Sequence, residues 1–207
     1  MKRTHTRRVL AALFLLFPPA LAMAQSPSDE PAARDSSRHF GLVFDMQAAP
    51  HFSSLSSYSD GGYSISLGFG LNFSPLFQMA IHVYTGREEI PAGSVTPADG
   101  WLPFGGASLE ATMFFTSGSA VRPYGTAGYG LYTIAGGNGY NGGGPHLEVG
   151  AEWDLSRYFS IRAGAQYTIL RFHDPTGEAS QAAGFEPFTA HLLGAAIRCA
   201  FYPSVLP

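Results

Sequence analysis

The chain has 207 residues, a single Cys, 25 glycines and only 13% charged residues. One cysteine excludes an internal disulfide framework, and a charged fraction about half that of ordinary soluble domains argues against a fold surrounded by water. Nucleic acid is excluded as a partner too, because beyond the first 24 residues eight arginines face fifteen carboxylates.

The opening, MKRTHTRRVLAALFLLFPPALAMAQ, carries Lys2, Arg3, Arg7 and Arg8 ahead of an apolar run from Val9 and a small-residue site at Ala22-Met23-Ala24. This pattern predicts a cleaved export signal over residues 1–24. The run is short and broken by Pro18-Pro19, unlike a membrane anchor. No Cys follows it, so lipid attachment there is not expected. Residues 25–38 are polar and aperiodic, and read as a flexible leader.

From residue 39 to residue 202 the period is two, and no stretch carries a sustained helical stripe. Eight strands are predicted. The first, near 39–50, sets Phe40, Leu42, Phe44 and Met46 against Gly41, Asp45 and Gln47. In the second, 63–73, Tyr63, Ile65, Leu67, Phe69, Leu71 and Phe73 alternate with Ser64, Ser66, Gly68, Gly70 and Asn72. The third (76–85) sets Phe77, Met79, Ile81 and Val83 against Gln78, Ala80, His82 and Tyr84. The fourth (105–115) sets Leu109, Met113 and Phe115 against Ser108, Glu110 and Thr112.

The fifth (122–133) has Ala127, Tyr129 and Leu131 opposite Thr126, Gly128 and Gly130. The sixth, HLEVGAEWDL (146–155), sets Leu147, Val149, Ala151, Trp153 and Leu155 against Glu148, Gly150, Glu152 and Asp154. The seventh (159–170) sets Ile161, Tyr167 and Ile169 against Arg162, Gln166 and Thr168, and the eighth (189–202) sets Leu193, Ile197, Cys199 and Phe201 against Gly194 and Arg198.

Connections alternate in length. Ser74-Pro75, residues 117–120 and residues 154–157 are short. SSLSSYSDGG, GREEIPAGSVTPADGW, IAGGNGYNGGG and HDPTGEASQAAGFE are longer and rich in Gly, Ser, Asp and Pro. The expected fold is all-β: an eight-stranded antiparallel up-and-down transmembrane β-barrel, with both termini beside the short turns. A soluble barrel would turn the polar face to water, but that face carries one or two charges per strand among Gly, Ala, Ser, Thr and Gln. Such a surface suits the crowded lumen of an eight-stranded barrel. Strands of about ten residues also match the hydrocarbon thickness.

The inward charges must then be paired, because an isolated buried charge is very unfavourable. Folding the sixth–seventh hairpin about residues 156–157 sets Glu152 opposite Arg162 and Glu148 opposite Gln166. The expected lumen network is Glu148, Glu152, Arg162 and Arg198, with Asp45, His82 and Glu110 as further members. It reads as a plug that fixes register, with an ion or proton path as the alternative. Tyr63, Phe73, Phe77, Phe115, Trp153 and Phe201, near strand ends, are the expected aromatic girdles.

PYGTAGYGLY, HLEVGAEWDLSRYFSIRAGAQY and HLLGAAIRCAFY resemble the small outer-membrane β-barrel superfamily of OmpA/OmpX type, over residues 39–202. The resemblance implies an integral protein of the bacterial outer membrane. The leader would be periplasmic, residues 203–207 a short tail, and Phe201-Tyr202 part of the signal read by the barrel-assembly machinery. No cell-wall tether is expected. Some relatives of this kind modify lipid A, and the deacylase type carries a lipid-facing His-x-Ser pair. Here the match is His51/Ser53, with no evident acidic partner. His146, His173 and His191 could gather around a metal, or stand as interface residues. Neither pattern is specific, so no catalytic residue, metal or cofactor is assigned.

The loop acids Asp60, Glu88, Glu89, Asp99, Asp174 and Glu178 could bridge to lipopolysaccharide phosphates through divalent cations or stand simply solvated, and Arg87 and Arg171 at the rim could meet those phosphates directly. Tyr140 is the expected contact residue of a flexible GGNGYNGGG loop. Cys199 reads as a small apolar residue facing lipid. The expected role is structural and surface-interacting, as a monomer whose four external loops meet an external ligand. A narrow channel for small or hydrophobic solutes and a lipid A-modifying enzyme are the alternatives.

Overall fold

The structure, a computed structural model, describes residues 41–53, 61–89, 101–134, 138–156, 158–177 and 188–203. The export signal and leader, the tail from residue 204, and the loop residues Asp60, Asp99 and Glu178 lie outside the described residues. Eight strands follow in chain order: β1 (Gly41–Ser53), β2 (Gly61–Ser74), β3 (Phe77–Glu89), β4 (Trp101–Phe114), β5 (Val121–Ile134), β6 (Asn138–Asp154), β7 (Phe159–Gly177) and β8 (Phe188–Phe201). Each pairs antiparallel with its neighbour in sequence, and β1 pairs with β8 to close the barrel.

The alternation in the sequence becomes alternation across the wall. On β2, Ile65, Leu67, Phe69 and Leu71 are exposed while Ser64, Ser66 and Asn72 are buried. Leu67 is 65% exposed and Leu131 67%, which no water-soluble barrel tolerates around its whole girth. The wall is greasy outside and polar inside because hydrocarbon surrounds it. At the short-turn end Phe73 and Phe77 lie 5.9 Å apart, and Phe159 and Phe201 4.9 Å apart. Ten residues up β2 stands Tyr63, about 25 Å higher at ~3.3 Å per residue and a tilt near 40°.

The interior is layered. At the loop end, Tyr84, Phe104, Tyr132, Ile134, Leu170, Phe172, Ala190 and Leu192 form an apolar cluster. Charged and amide side chains occupy the middle, and Val43, Ala200 and Tyr202 cluster at the short-turn end. The hairpin count holds: Glu152 pairs with Arg162 and Glu148 with Gln166.

The long connections required correction. Residues 138–144 of the Gly-rich GGNGYNGGG stretch, expected as a flexible loop with Tyr140 as its contact residue, form the upper part of β6 and pair with both β5 and β7. HDPTG (173–177) likewise extends β7, Gly86–Glu89 extend β3, and Trp101–Phe104 extend β4. Glycines carry no side chain to mark a period of two, so strand and loop look alike in such a stretch. Here the lack of a side chain is required: a Cβ on Gly144 would sit 1.7 Å from the Ile169 carbonyl oxygen. Gly68 makes room differently, since its Cβ would fall 2.3 Å from the His82 ring.

Two outcomes are expected. A spin label at Leu67 in reconstituted protein should be relaxed by oxygen and shielded from a water-soluble nickel reagent; the reverse would put water on the outer wall. Gly144→Val should push β6 from β7 and lower stability by about 1–3 kcal/mol, read by urea unfolding in detergent. An unchanged midpoint would show that the close approach is dispensable.

Candidate functional site

The lumen is the one place in the described residues where chemistry concentrates, and it is built from the inward positions of all eight strands. Nearest the short turns, Glu152 on β6 accepts from two guanidiniums. Arg122 Nη2 bonds its Oε1 and Arg162 Nε its Oε2. Tyr202 donates to the same carboxylate at 2.9 Å. The two arginines are held apart by other partners: Arg122 donates to the Pro75 carbonyl at 3.1 Å and lies 4.2 Å over the Phe114 ring. Arg162 crosses from β7 to Gln78 on β3, at 2.6 Å.

A second cluster centres on Arg198 of β8. Its guanidinium donates to Glu148 at 3.1 Å, to Gln47 at 2.8 Å and to Glu110 on β4 at 3.3 Å. Asp45 lies 3.8 Å away. His82 bridges two of these acids, with Nε2 at 3.0 Å from Asp45 and Nδ1 at 3.1 Å from Glu110. Tyr84 donates to Glu110 and Tyr124 to Glu148. Arg162 and His82 are fully buried, and Glu110, Glu148 and Arg198 are each 1% exposed.

Seven expected lumen residues thus meet inside the barrel: Asp45, His82, Glu110, Glu148, Glu152, Arg162 and Arg198. Arg122 was not singled out from sequence, although folding the β5–β6 hairpin sets it opposite Glu152. Tyr84 was placed on the inward face but not in the network, and Tyr124 and Tyr202 were missed because a phenol reads as apolar in a pattern while its hydroxyl serves a carboxylate. Glu88 was expected among solvated loop acids. It is instead 1% exposed, and its Oε1 lies 2.5 Å from His51 Nε2. β3 carries on past its predicted end, which turns this residue inward.

That pair also revises the His51/Ser53 reading. An acidic partner exists, but His51 is 5% exposed and faces the lumen, so it meets no lipid acyl chain. Its ring nitrogens are directed to Glu88 and, at 3.4 Å, to the Ala49 carbonyl. The histidine gathering also fails on geometry: His146 is buried in the lumen, where Nδ1 contacts Thr168 at 2.9 Å, while His191 is exposed on the outer wall. Neighbouring positions of opposite parity cannot share one ion across the sheet. The side chain of His173 lies outside the described residues. A cavity of about 20 Å³, room for one water molecule, lies between His51, Tyr84, Phe104, Tyr132 and His146.

On the outside, Arg87 and Arg171 are exposed near the loop end. Tyr63, Phe73, Phe115 and Phe201 are exposed, and Phe77 and Trp153 partly so. Cys199 is exposed on the same apolar wall.

Removing one member of the ion-paired group should expose how strongly its parts depend on each other. Glu152→Gln leaves Arg122 and Arg162 without their shared carboxylate and should lower stability by about 3–5 kcal/mol in urea unfolding. A loss below one kcal/mol would mean that the arginines do not depend on it.

No curated protein matches the chain in sequence. Among solved structures, Neisserial surface protein A is similar with a TM-score of 0.54 at 16% identity, covering 76% of this chain and 96% of that one. The outer membrane protein OprG from Pseudomonas aeruginosa gives 0.51 at 13% identity, covering 81% and 98%. At these identities the likeness is one of fold alone. The model of the outer membrane protein beta-barrel domain matches residues 10–195, nearly the whole described barrel. The chain therefore belongs to that family, whose place is the bacterial outer membrane.

Proposed function

We propose that this protein is a plugged outer-membrane barrel that works through its outer wall and loops rather than as a conduit. One observation carries the reading. Arg198 reaches from β8 to Glu110 on β4, and Arg162 from β7 to Gln78 on β3. In a closed ring of eight strands these are diametrically opposite positions. Two side chains that span the full width of the lumen leave no aqueous bore, and the apolar cluster above them narrows the loop end further. The ion pairs hold the register of distant strands as well as filling space.

The partners that suit such a barrel are the lipid and lipopolysaccharide of its own membrane, the barrel-assembly machinery during insertion, and an external ligand at the four loop-side connections. A monomer is sufficient, because closure leaves no strand edge for a second copy to pair with.

Planar-bilayer recording tests the plug. The native protein should give no stable steps of large conductance, and Arg198→Ala combined with Arg162→Ala should raise the frequency of opening. A large, steady conductance from the native protein would overturn the reading.

A further inference from the structure

The outer wall changes character along β7 and β8. Above the tilted ring pair of Phe159 and Phe201, its outward positions are Ile161, Ala163 and Ala165 on β7, and Cys199, Ile197, Ala195 and Leu193 on β8. Higher up, the wall turns more polar, with Ile169 as the aliphatic side chain among Tyr167, His191, Arg171 and Thr189. The Tyr167 hydroxyl lies 2.7 Å from His191 Nδ1, with the two rings stacked at 6.0 Å and 18°. Arg171 and Thr189 are cross-strand partners one step higher, and both are exposed.

Height gives this rank its meaning. Tyr167 stands eight residues above Phe159 and Arg171 twelve, which at ~3.3 Å per residue and a tilt near 40° is about 20 Å and about 30 Å. His191, the partner of Ile169, falls between them. An apolar band of about 25 Å ends within this interval, so acyl chains meet the lower edge of the cluster and headgroups its upper edge.

Charge points the same way. Among the described side chains, Asp45, Glu88, Glu110, Glu148 and Glu152 are buried in the lumen, and Asp154 sits at the short-turn end. The exposed charges of the described outer wall are Arg87 and Arg171. Arg87 is paired across strands with Tyr63 but has no imidazole beside it on β2 or β4. Among the described residues of the outer wall, the β7–β8 rank places a guanidinium near a histidine that is hydrogen-bonded to a phenol.

We propose that Arg171, His191 and Tyr167 form a binding site for the phosphomonoester of a glycolipid headgroup. Arg171 supplies the planar fork that matches phosphate oxygens. With the Tyr167 hydroxyl donating to Nδ1, the His191 imidazole carries its proton at Nε2 and donates from there. Positions 171 and 191 are diagonal neighbours, with Cα atoms about 7–8 Å apart by sheet geometry, so one phosphate can touch both side chains. Tyr167 also packs its ring against the lipid below. The site rests on the reading of this wall as lipid-facing.

The test uses the folded full chain in nanodiscs of phosphatidylcholine carrying a small fraction of bis-phosphorylated lipid A. Parallel samples carry the same lipid with its phosphates removed, or millimolar inorganic phosphate instead. Native mass spectrometry after detergent extraction should show the phosphorylated lipid retained and the dephosphorylated one lost. Arg171→Gln and His191→Gln should each weaken retention about tenfold, with folding checked by the mobility of unboiled protein. A spin label at Ala165, in the Cys199→Ser background, should broaden the phosphomonoester resonance of the lipid, and Arg87→Gln should leave that broadening unchanged. Equal broadening of inorganic phosphate would make this a general anion site and overturn the lipid assignment. Retention that ignores phosphate, or a phosphomonoester resonance untouched by the label, would overturn the site. If a label at Leu67 nevertheless reports hydrocarbon, only the site falls; if Leu67 reports water, the reading of the wall falls with it.

Discussion

Every backbone N–H and C=O that faces hydrocarbon must find its partner within the fold, because lipid offers none. For strands, this demand is met only by a ring that closes, and in this protein the pairing of β1 with β8 closes it. Much else is a consequence. Eight strands set a diameter just wide enough for side chains to meet across it, and a period of two sends every second side chain into that space.

The filling of that space follows from its size. A lumen this narrow excludes bulk water, so any charge inside it must be neutralised by another side chain. Long arginines suit the task, since Arg162 and Arg198 reach opposite walls and donate to several other side chains along the way. Such buried ion pairs add little net stability over a well-packed apolar filling, but removing one member of a pair is severely unfavourable. The network therefore constrains which strands can face each other more than it strengthens the barrel. The two clusters also differ in sign: one carboxylate serves two guanidiniums near the short turns, whereas three carboxylates surround Arg198, with His82 between two of them. Segregating the charges this way gives each cluster its own set of partners.

Outside, the same parity rule produces a wall that tells depth. Phenylalanines mark one boundary, aliphatic side chains fill the band, and tyrosine with arginine and histidine mark the other. Among the described side chains, Asp45, Glu88, Glu110, Glu148 and Glu152 are drawn into the lumen, and the exposed charges of the outer wall are Arg87 and Arg171.

The sequence by itself determined the number of strands, the face to which most strand residues turn, and the partners that a short turn specifies, such as Glu152 with Arg162. These are local properties, fixed by the period of two and by the position of a short turn. Contacts across the barrel were decided only by closure: Arg198 with Glu110, Arg162 with Gln78, and His51 with Glu88 depend on strand tilt and stagger, which no single hairpin encodes. The ends of the strands were hidden for another reason. In residues 138–144 glycine erases the alternation, and at Glu88 a charge imitates a solvated loop, so only the pairing of neighbouring strands shows that the wall continues there. Tyr167 and His191 illustrate the division: parity places both on the outer wall, but it takes the register of β7 against β8 to bring phenol and imidazole into one hydrogen bond.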